Sequence, residues 1–405
     1  MYVLLAGLRC LLCCIGAVLL ALPAAAETPA DGSGKAASAT AAQRTSARST
    51  TAAKNAPKPI IEKPVSTQEQ PKAAQHNSSV VTLAAGRPED SFSSYAADLA
   101  TVLDDGRNLR VLPMASYGAA GNIVDLLYLN SVDIAITYAD VLDHFKTTEK
   151  IPNIEQRLHY ISPMFQGEVH LLVRPEIKTI QDLAGRKVGI DTPGSGANHT
   201  GAIVFERLGV SVEKVALSNA LALEAMRRNE LAGIIHLASK PNELFGKVNA
   251  DLGFHLLAIE YSDKFRDYYV PAEISSADYP NLVRQGSTVR TISVQALLAV
   301  FNWPSDSDRY QRCARFVEAL FSNFERLRSP PFQQGWREMN LAGTIPGWTR
   351  FAPAQQILNK AGASSWIEPD VARESGWGTS LVSPAEQERN FQKFMQWSKQ
   401  QKGQQ

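Results

Sequence analysis

The chain has 405 residues and a mass of 44.2 kDa, with 44% apolar residues, 20% charged residues and a net charge of +1. At about 150 residues per domain this is enough for two or three domains with buried cores. The balanced charge argues against a strongly basic nucleic-acid binder, and a single long apolar run excludes a polytopic membrane protein.

The single apolar run lies at the N-terminus. Arg9 precedes an apolar stretch that ends in Ala24-Ala25-Ala26 before Glu27. That is a short h-region followed by an A-x-A cleavage pattern, so a secretory signal peptide is expected over 1–26, with an uncleaved anchor as the alternative. Export to the periplasm follows. Cys10, Cys13 and Cys14 leave with the signal, so Cys313 stands alone and no internal disulfide is expected. Residues 27–78 are rich in Ala, Thr, Ser, Lys, Gln and Pro and lack aromatic residues. Such a segment cannot bury enough apolar area to offset its ordering entropy, and it reads as a flexible linker.

From residue 79 short β-like runs alternate with helical ones. Strands are predicted at 80–84, 109–112, 133–137, 169–173, 187–190, 212–216 and 233–236. Helices are predicted at 92–103, 119–129, 197–208 and 221–228. The alternation is that of an α/β protein with helices on mainly parallel sheets. The length points to a two-lobed body over 79–345 with a central cleft. Lobe 1 takes about 79–170 and 280–345, and lobe 2 about 171–279. In Tyr310, Cys313, Phe316, Val317, Leu320, Phe321 and Phe324 the apolar residues recur at helical spacing, so Cys313 is expected inside a core. Residues 346–405 read as a helical extension. Its last helix opens on Ser383-Pro384-Ala385-Glu386, a capping box with Pro at the first position, and is expected to dock on the body.

Nucleotide, zinc-protease and metal-cluster motifs are missing, so no cofactor and no metal are expected. The informative segments are loops that open helices. In 187–201, KVGIDTPGSGANHTG, a buried strand runs into Pro-Gly-Ser-Gly and then a helix. Backbone N–H groups around Gly194 and Gly196 suit an anion there, and Ser195, Asn198, His199 and Thr200 add side-chain donors. The plain alternative is a glycine turn with a Ser cap. A second such loop runs from Ser116 to Gly121, with Asn122 in the first turn, and leads on to Tyr138 and Asp140. A third ends the 233–241 stretch at Lys240.

Together these segments resemble the solute-binding subunits of TRAP transporters, in particular the TAXI subfamily. The family's G-S-x-x-N-L and G-x-x-D-x-A-x-x-Q-x-D elements are matched at 118–123, at Asn130-Ser131-Val132-Asp133-Ile134-Ala135 and at Tyr138-Ala139-Asp140. Its D-L-x-G-K-x-V and G-x-x-G-S-G elements are matched at 182–188 and at Thr192-Pro193-Gly194-Ser195-Gly196. The likeness covers about 80–325. It departs from the pattern at Ala119, at Tyr138, where the family has Gln, and in the first loop, Ala84-Ala85-Gly86-Arg87-Pro88-Glu89-Asp90. There Arg87 offers a partner for a ligand carboxylate, whereas Glu89 and Asp90 oppose an anion.

The resemblance implies a type II periplasmic-binding-protein-like fold. It implies a monomer that binds a small anionic solute, a dicarboxylate or amino acid, and delivers it to a TRAP permease in the membrane. An envelope sensor or scaffold on the same fold is the alternative. An enzyme using Ser195 and His199 lacks an acid to orient the histidine, and no catalytic role is expected.

Overall fold

A computed structural model describes residues 77–362 and 383–402. The expected signal peptide and nearly all of the expected linker lie outside the described residues. Two lobes are built on one mixed sheet of eleven strands, in the order β2-β1-β3-β10-β4-β7-β5-β6, with β8 and β11 beside β4 and β9 beside β10.

Lobe 1 opens with β1 (Val80–Gly86), α1 (Ser91–Leu103), β2 (Arg110–Ala115), α2 (Ala119–Tyr128) and β3 (Ile134–Tyr138), followed by α3 (Val141–Thr147). β1 pairs in parallel with both β2 and β3. Every residue of β3 is buried, as a central strand covered on both faces requires. The chain then enters β4 (Leu158–Val173), whose 16 residues run through both lobes. Lobe 2 contains β5 (Lys187–Gly189), α4 (Gly196–Leu208), β6 (Glu213–Val215), α5 (Asn219–Arg227), β7 (Gly233–Ala238), β8 (His255–Leu256) and β9 (Tyr269–Ser275). The return strand β10 (Thr288–Phe301) pairs with β9 in its first half and with β3 in its second.

The sheet is therefore mixed rather than mainly parallel. β10 is antiparallel to β3, β4 and β9, and β4 is antiparallel to β7. The two long strands change partners at the same level. β4 leaves β10 and takes up β7 at Glu168, and β10 leaves β9 and takes up β3 between Val294 and Ala296. Side chains lock this level together. Gln166 donates to Gln295 Oε1 at 2.8 Å, and Gln295 Nε2 donates to the carbonyls of Met164 and Phe165 at 2.9 and 3.2 Å.

After β10, α6 (Asp308–Leu327) starts at Ser307, whose hydroxyl accepts from Tyr310 N at 3.2 Å. Its buried face is Cys313, Phe316, Val317, Leu320, Phe321, Phe324 and Leu327, the stripe expected at a 3.6-residue period. Burial pushes the Cys313 thiol well above its ordinary pKa, so it stays protonated inside the core. The body continues past 345. β11 (Thr349–Arg350) adds to β4, and α7 (Ala352–Lys360) packs on α6.

The last helix, α8 (Pro384–Lys402), also packs on α6. Phe394 is fully buried with its ring 5.4 Å from that of Phe321, and Phe391 lies 6.2 Å from Phe324. Ser383 Oγ accepts from Glu386 N at 3.2 Å and caps the helix. Docking of α8 through one aromatic row has a measurable consequence. Phe394→Ala is expected to cost about 3–5 kcal/mol and to open α8 to trypsin. An unchanged melting temperature and digestion pattern would show that α8 contributes nothing to the core.

Candidate functional site

The carboxyl ends of the parallel strands β1 and β5 face each other across the cleft, where an open α/β sheet places its ligands. β1 delivers Arg87 and β5 delivers Asp191. Arg87 has five N–H donors, and each has a protein acceptor. Nη1 and Nη2 donate to Asp191 Oδ1 and Oδ2 at 2.7 and 2.6 Å. Nε and the second Nη2 proton go to Asp90 at 3.2 and 2.9 Å, and the second Nη1 proton goes to Thr192 Oγ1 at 3.2 Å. Burial works against the guanidinium charge, but Asp191 and Asp90 outweigh it and hold the pKa above that of an ordinary arginine.

Asp191 is equally committed. It is 1% exposed, and its oxygens also accept from Thr192 N at 2.8 Å and from Asn219 Nδ2 at 3.2 Å. Its φ of +63° lies in the left-handed region, which a non-glycine residue keeps only where its surroundings hold it there. The same Asn219 amide lies 2.8 Å from His236 Nδ1, and His236 lines the cleft. Burial lowers the pKa of His236, so the ring is held neutral beside the Arg87–Asp191 pair.

The loop after Asp191 meets lobe 1 across the cleft. Gly194 O accepts from the backbone N–H groups of Ala120 and Gly121 at 3.0 and 3.1 Å, across the cleft in the first turn of α2. The two loops lie so close that a Cβ at Gly118 would sit 3.1 Å from Ser195 Cα, at a φ of +105°. The Tyr138 ring fills the remaining space between Gly167 and Gly196, where an added Cβ would come within 2.5 and 2.7 Å of it. What is left is a cavity of about 20 Å³, room for about one water. Arg87, Asp90, Tyr138, Asp191, Ser195 and Gly196 are among the residues that line it.

Other expected site residues are distributed as follows. Ser195 Oγ accepts from Asn198 N at 3.1 Å and caps α4, and Asn198 Nδ2 reaches Asp191 O at 3.4 Å. Asn122 is buried, and its amide donates to the carbonyls of Ala84, Ala85 and Ile136. Its Oδ1 accepts from Ser116, so this pair ties α2 to the ends of β1 and β3. Asp140, His199 and Thr200 form a second buried cluster on the other side of α4. Thr200 Oγ1 and Tyr269 OH donate to Asp140 Oδ2 at 2.7 and 2.9 Å. His199 Nε2 lies 4.0 Å from the same oxygen and has no hydrogen-bond partner. Lys240 is apart from the cavity lining, with Nζ on the carbonyl of Glu273 and 3.9 Å from Asp278.

Three residues that sequence reasoning passed over stand at the cleft: Asp191 and His236 line it, and Asn219 bonds to both. Only Asp191 carried a signal, as an acidic residue at the end of a buried strand before Pro-Gly. Among the described residues no cluster of three His, Cys, Asp or Glu side chains could hold a metal, and no helix is long and apolar enough to cross a membrane.

Residues 83–345, which hold this cleft and the crossing strands, match the NMT1-like family. The chain belongs to the NMT1-like family. No curated protein sequence matches it. Among solved structures this NMT1-like chain is similar to YhfZ from Shigella flexneri, at 16% identity over 66% of this chain and 100% of that one, with a TM-score of 0.38. It is similar to the alkanesulfonate-binding protein SsuA from Xanthomonas axonopodis pv. citri bound to MOPS, at 13% identity over 78% and 84% of the two chains, with a TM-score of 0.38. It is also similar to MatC from Rhodopseudomonas palustris with bound malate, at 14% identity over 60% and 84%, with a TM-score of 0.40. In this NMT1-like chain two long strands, β4 and β10, cross between the lobes.

Glu168 stands where β4 changes partners. It is buried and its Oε2 has no hydrogen-bond partner. Burial pushes its carboxyl up to about 8, against a smaller opposing effect of Lys240. An unfolded chain releases this proton near pH 4.5. Between that pH and about pH 8 the folded state binds more protons than the unfolded one, so stability falls as pH rises. Glu168→Gln removes this dependence. Its stability advantage over the wild type, read from urea midpoints, is expected to grow from pH 5 to pH 8 to the order of a few kcal/mol. A difference that is the same at both pH values would contradict the assignment.

Proposed function

We propose that this chain is an exported, periplasmic solute-binding protein of the TAXI type. In this reading it takes a small carboxylate-bearing solute between its lobes as a monomer and hands it to a TRAP-type permease in the membrane. The observation that carries the reading is the Arg87 fork, which meets a carboxylate edge-on with two bonds of 2.6 and 2.7 Å. A solute carboxylate suits the same fork, and the first-turn amides of α2 suit a second oxygen. Ser195, Asn198 and the 193–196 backbone border that place from lobe 2, with Tyr138 opposite. Nothing in this use requires bond chemistry, and we assign no catalytic role.

Charge separates the two expected solute classes. Asp90 and Asp191 bring two negative charges to one arginine. A dicarboxylate adds two more, whereas an amino acid brings an ammonium group that suits the carboxylates it displaces. The amino acid is therefore the better match. The small size of the cavity, about 20 Å³, favours a second reading, an envelope sensor or scaffold that keeps the fold without transport.

Thermal unfolding of the purified protein against a panel of amino acids, dicarboxylates and neutral metabolites tests the first reading. A solute at 100 times its Kd is expected to stabilise the fold by about 2.7 kcal/mol, and Arg87→Met is expected to abolish the shift. A panel without a single shift on a well-folded protein would favour the sensor or scaffold.

A further inference from the structure

Lobe 1 offers two places for an anionic oxygen, and one short segment of lobe 2 fills both. The carboxylate of Asp191 sits in the Arg87 fork. Three residues later, Gly194 O takes the N–H groups of Ala120 and Gly121. Thr192 Oγ1 takes the remaining Nη1 proton. All of these bonds cross the cleft. The first amides of a helix have no partner within it, so in an open chain those of Ala120 and Gly121 would face water.

We propose that the 191–194 segment is a built-in stand-in for the solute, so that the empty chain rests closed and a solute binds by displacing Asp191 from Arg87. The proposal rests on the reading of this cleft as the solute site. Asp191 then determines which solutes succeed. A solute gains only the difference between its own contacts and those of the 191–194 segment, and its apparent affinity falls by the fraction of molecules that are open. A carboxylate alone replaces like with like. A solute that also engages the released Asp191 has a net advantage.

Hydrogen exchange on the purified full chain, with no solute added, reads the contact directly. In the wild type the amides of Ala120 and Gly121 are expected to exchange at least tenfold more slowly than an exposed peptide. In Asp191→Asn and in Arg87→Gln they are expected to speed up at least tenfold, while the amides of residues 297–300 in β10 stay slow. Fast exchange at Ala120 and Gly121 in the wild type would overturn the proposal, as would unchanged exchange in either variant whose β10 stays protected. A variant that also loses protection in β10 has unfolded, and the wild type and the other variant then decide. Since no solute is present, failure here concerns closure, whereas a flat solute panel concerns binding.

Discussion

A half-buried guanidinium with five donors constrains everything around it. Left without acceptors, such a group costs several kcal/mol of lost hydration. Here the acceptors come from both lobes: Asp90 beside it in lobe 1, and Asp191 with Thr192 across the cleft. Satisfying Arg87 and closing the lobes are therefore one event. The rest of the cleft is consistent with that requirement. Asp191 accepts a strained backbone conformation, Asn219 and Thr192 N fill its remaining lone pairs, and glycines at 118 and 194 let the two loops meet.

The same logic recurs on the far side of α4. Asp140 from lobe 1 takes hydrogen bonds from Thr200 of lobe 2 and from Tyr269 of β9. This tie is less complete, because Asp140 Oδ1 and His199 Nε2 are buried without partners. Between the two ties the Tyr138 ring packs against Gly167, on the strand that changes lobes, and against Gly196, which opens α4. The changeover level itself is locked by Gln166 and Gln295 and carries the buried Glu168. Closure is thus specified by polar pairs at the cleft walls and by one aromatic wedge beside the level where β4 changes partners.

Much of this fold was legible because buried parallel strands read as short apolar runs between glycines, and α6 reads as a 3.6-residue stripe. β1, β3, β5 and α4 fall within a residue or two of their expected bounds. The crossing strands were not legible over their full length. β4 carries Pro163, Gln166 and Gly167 in mid-strand, and only its last residues have a continuous apolar pattern. β10 mixes a polar first half with an apolar second half because the two halves lie in different lobes. At the cleft, Arg87, Tyr138, Ser195 and Gly196 were readable as residues at strand ends. The role of Asp191 was not, although it sits in the same loop. Its meaning depends on a partner 104 residues away, which no local pattern reveals. Asn219 and His236 were hidden for the same reason, since each matters through Asp191.

The lobes are held together in this way only if Arg87 and Asp191 are energetically coupled across the cleft. A double-mutant cycle on unfolding free energy, with Arg87→Gln, Asp191→Asn and the pair, measures that coupling without any solute. Breaking a buried ion pair from one side typically costs about 3–5 kcal/mol, so the coupling expected here is at least about 2 kcal/mol. Additive single variants, with a coupling within about 0.5 kcal/mol of zero, would show that the two side chains do not hold the lobes together.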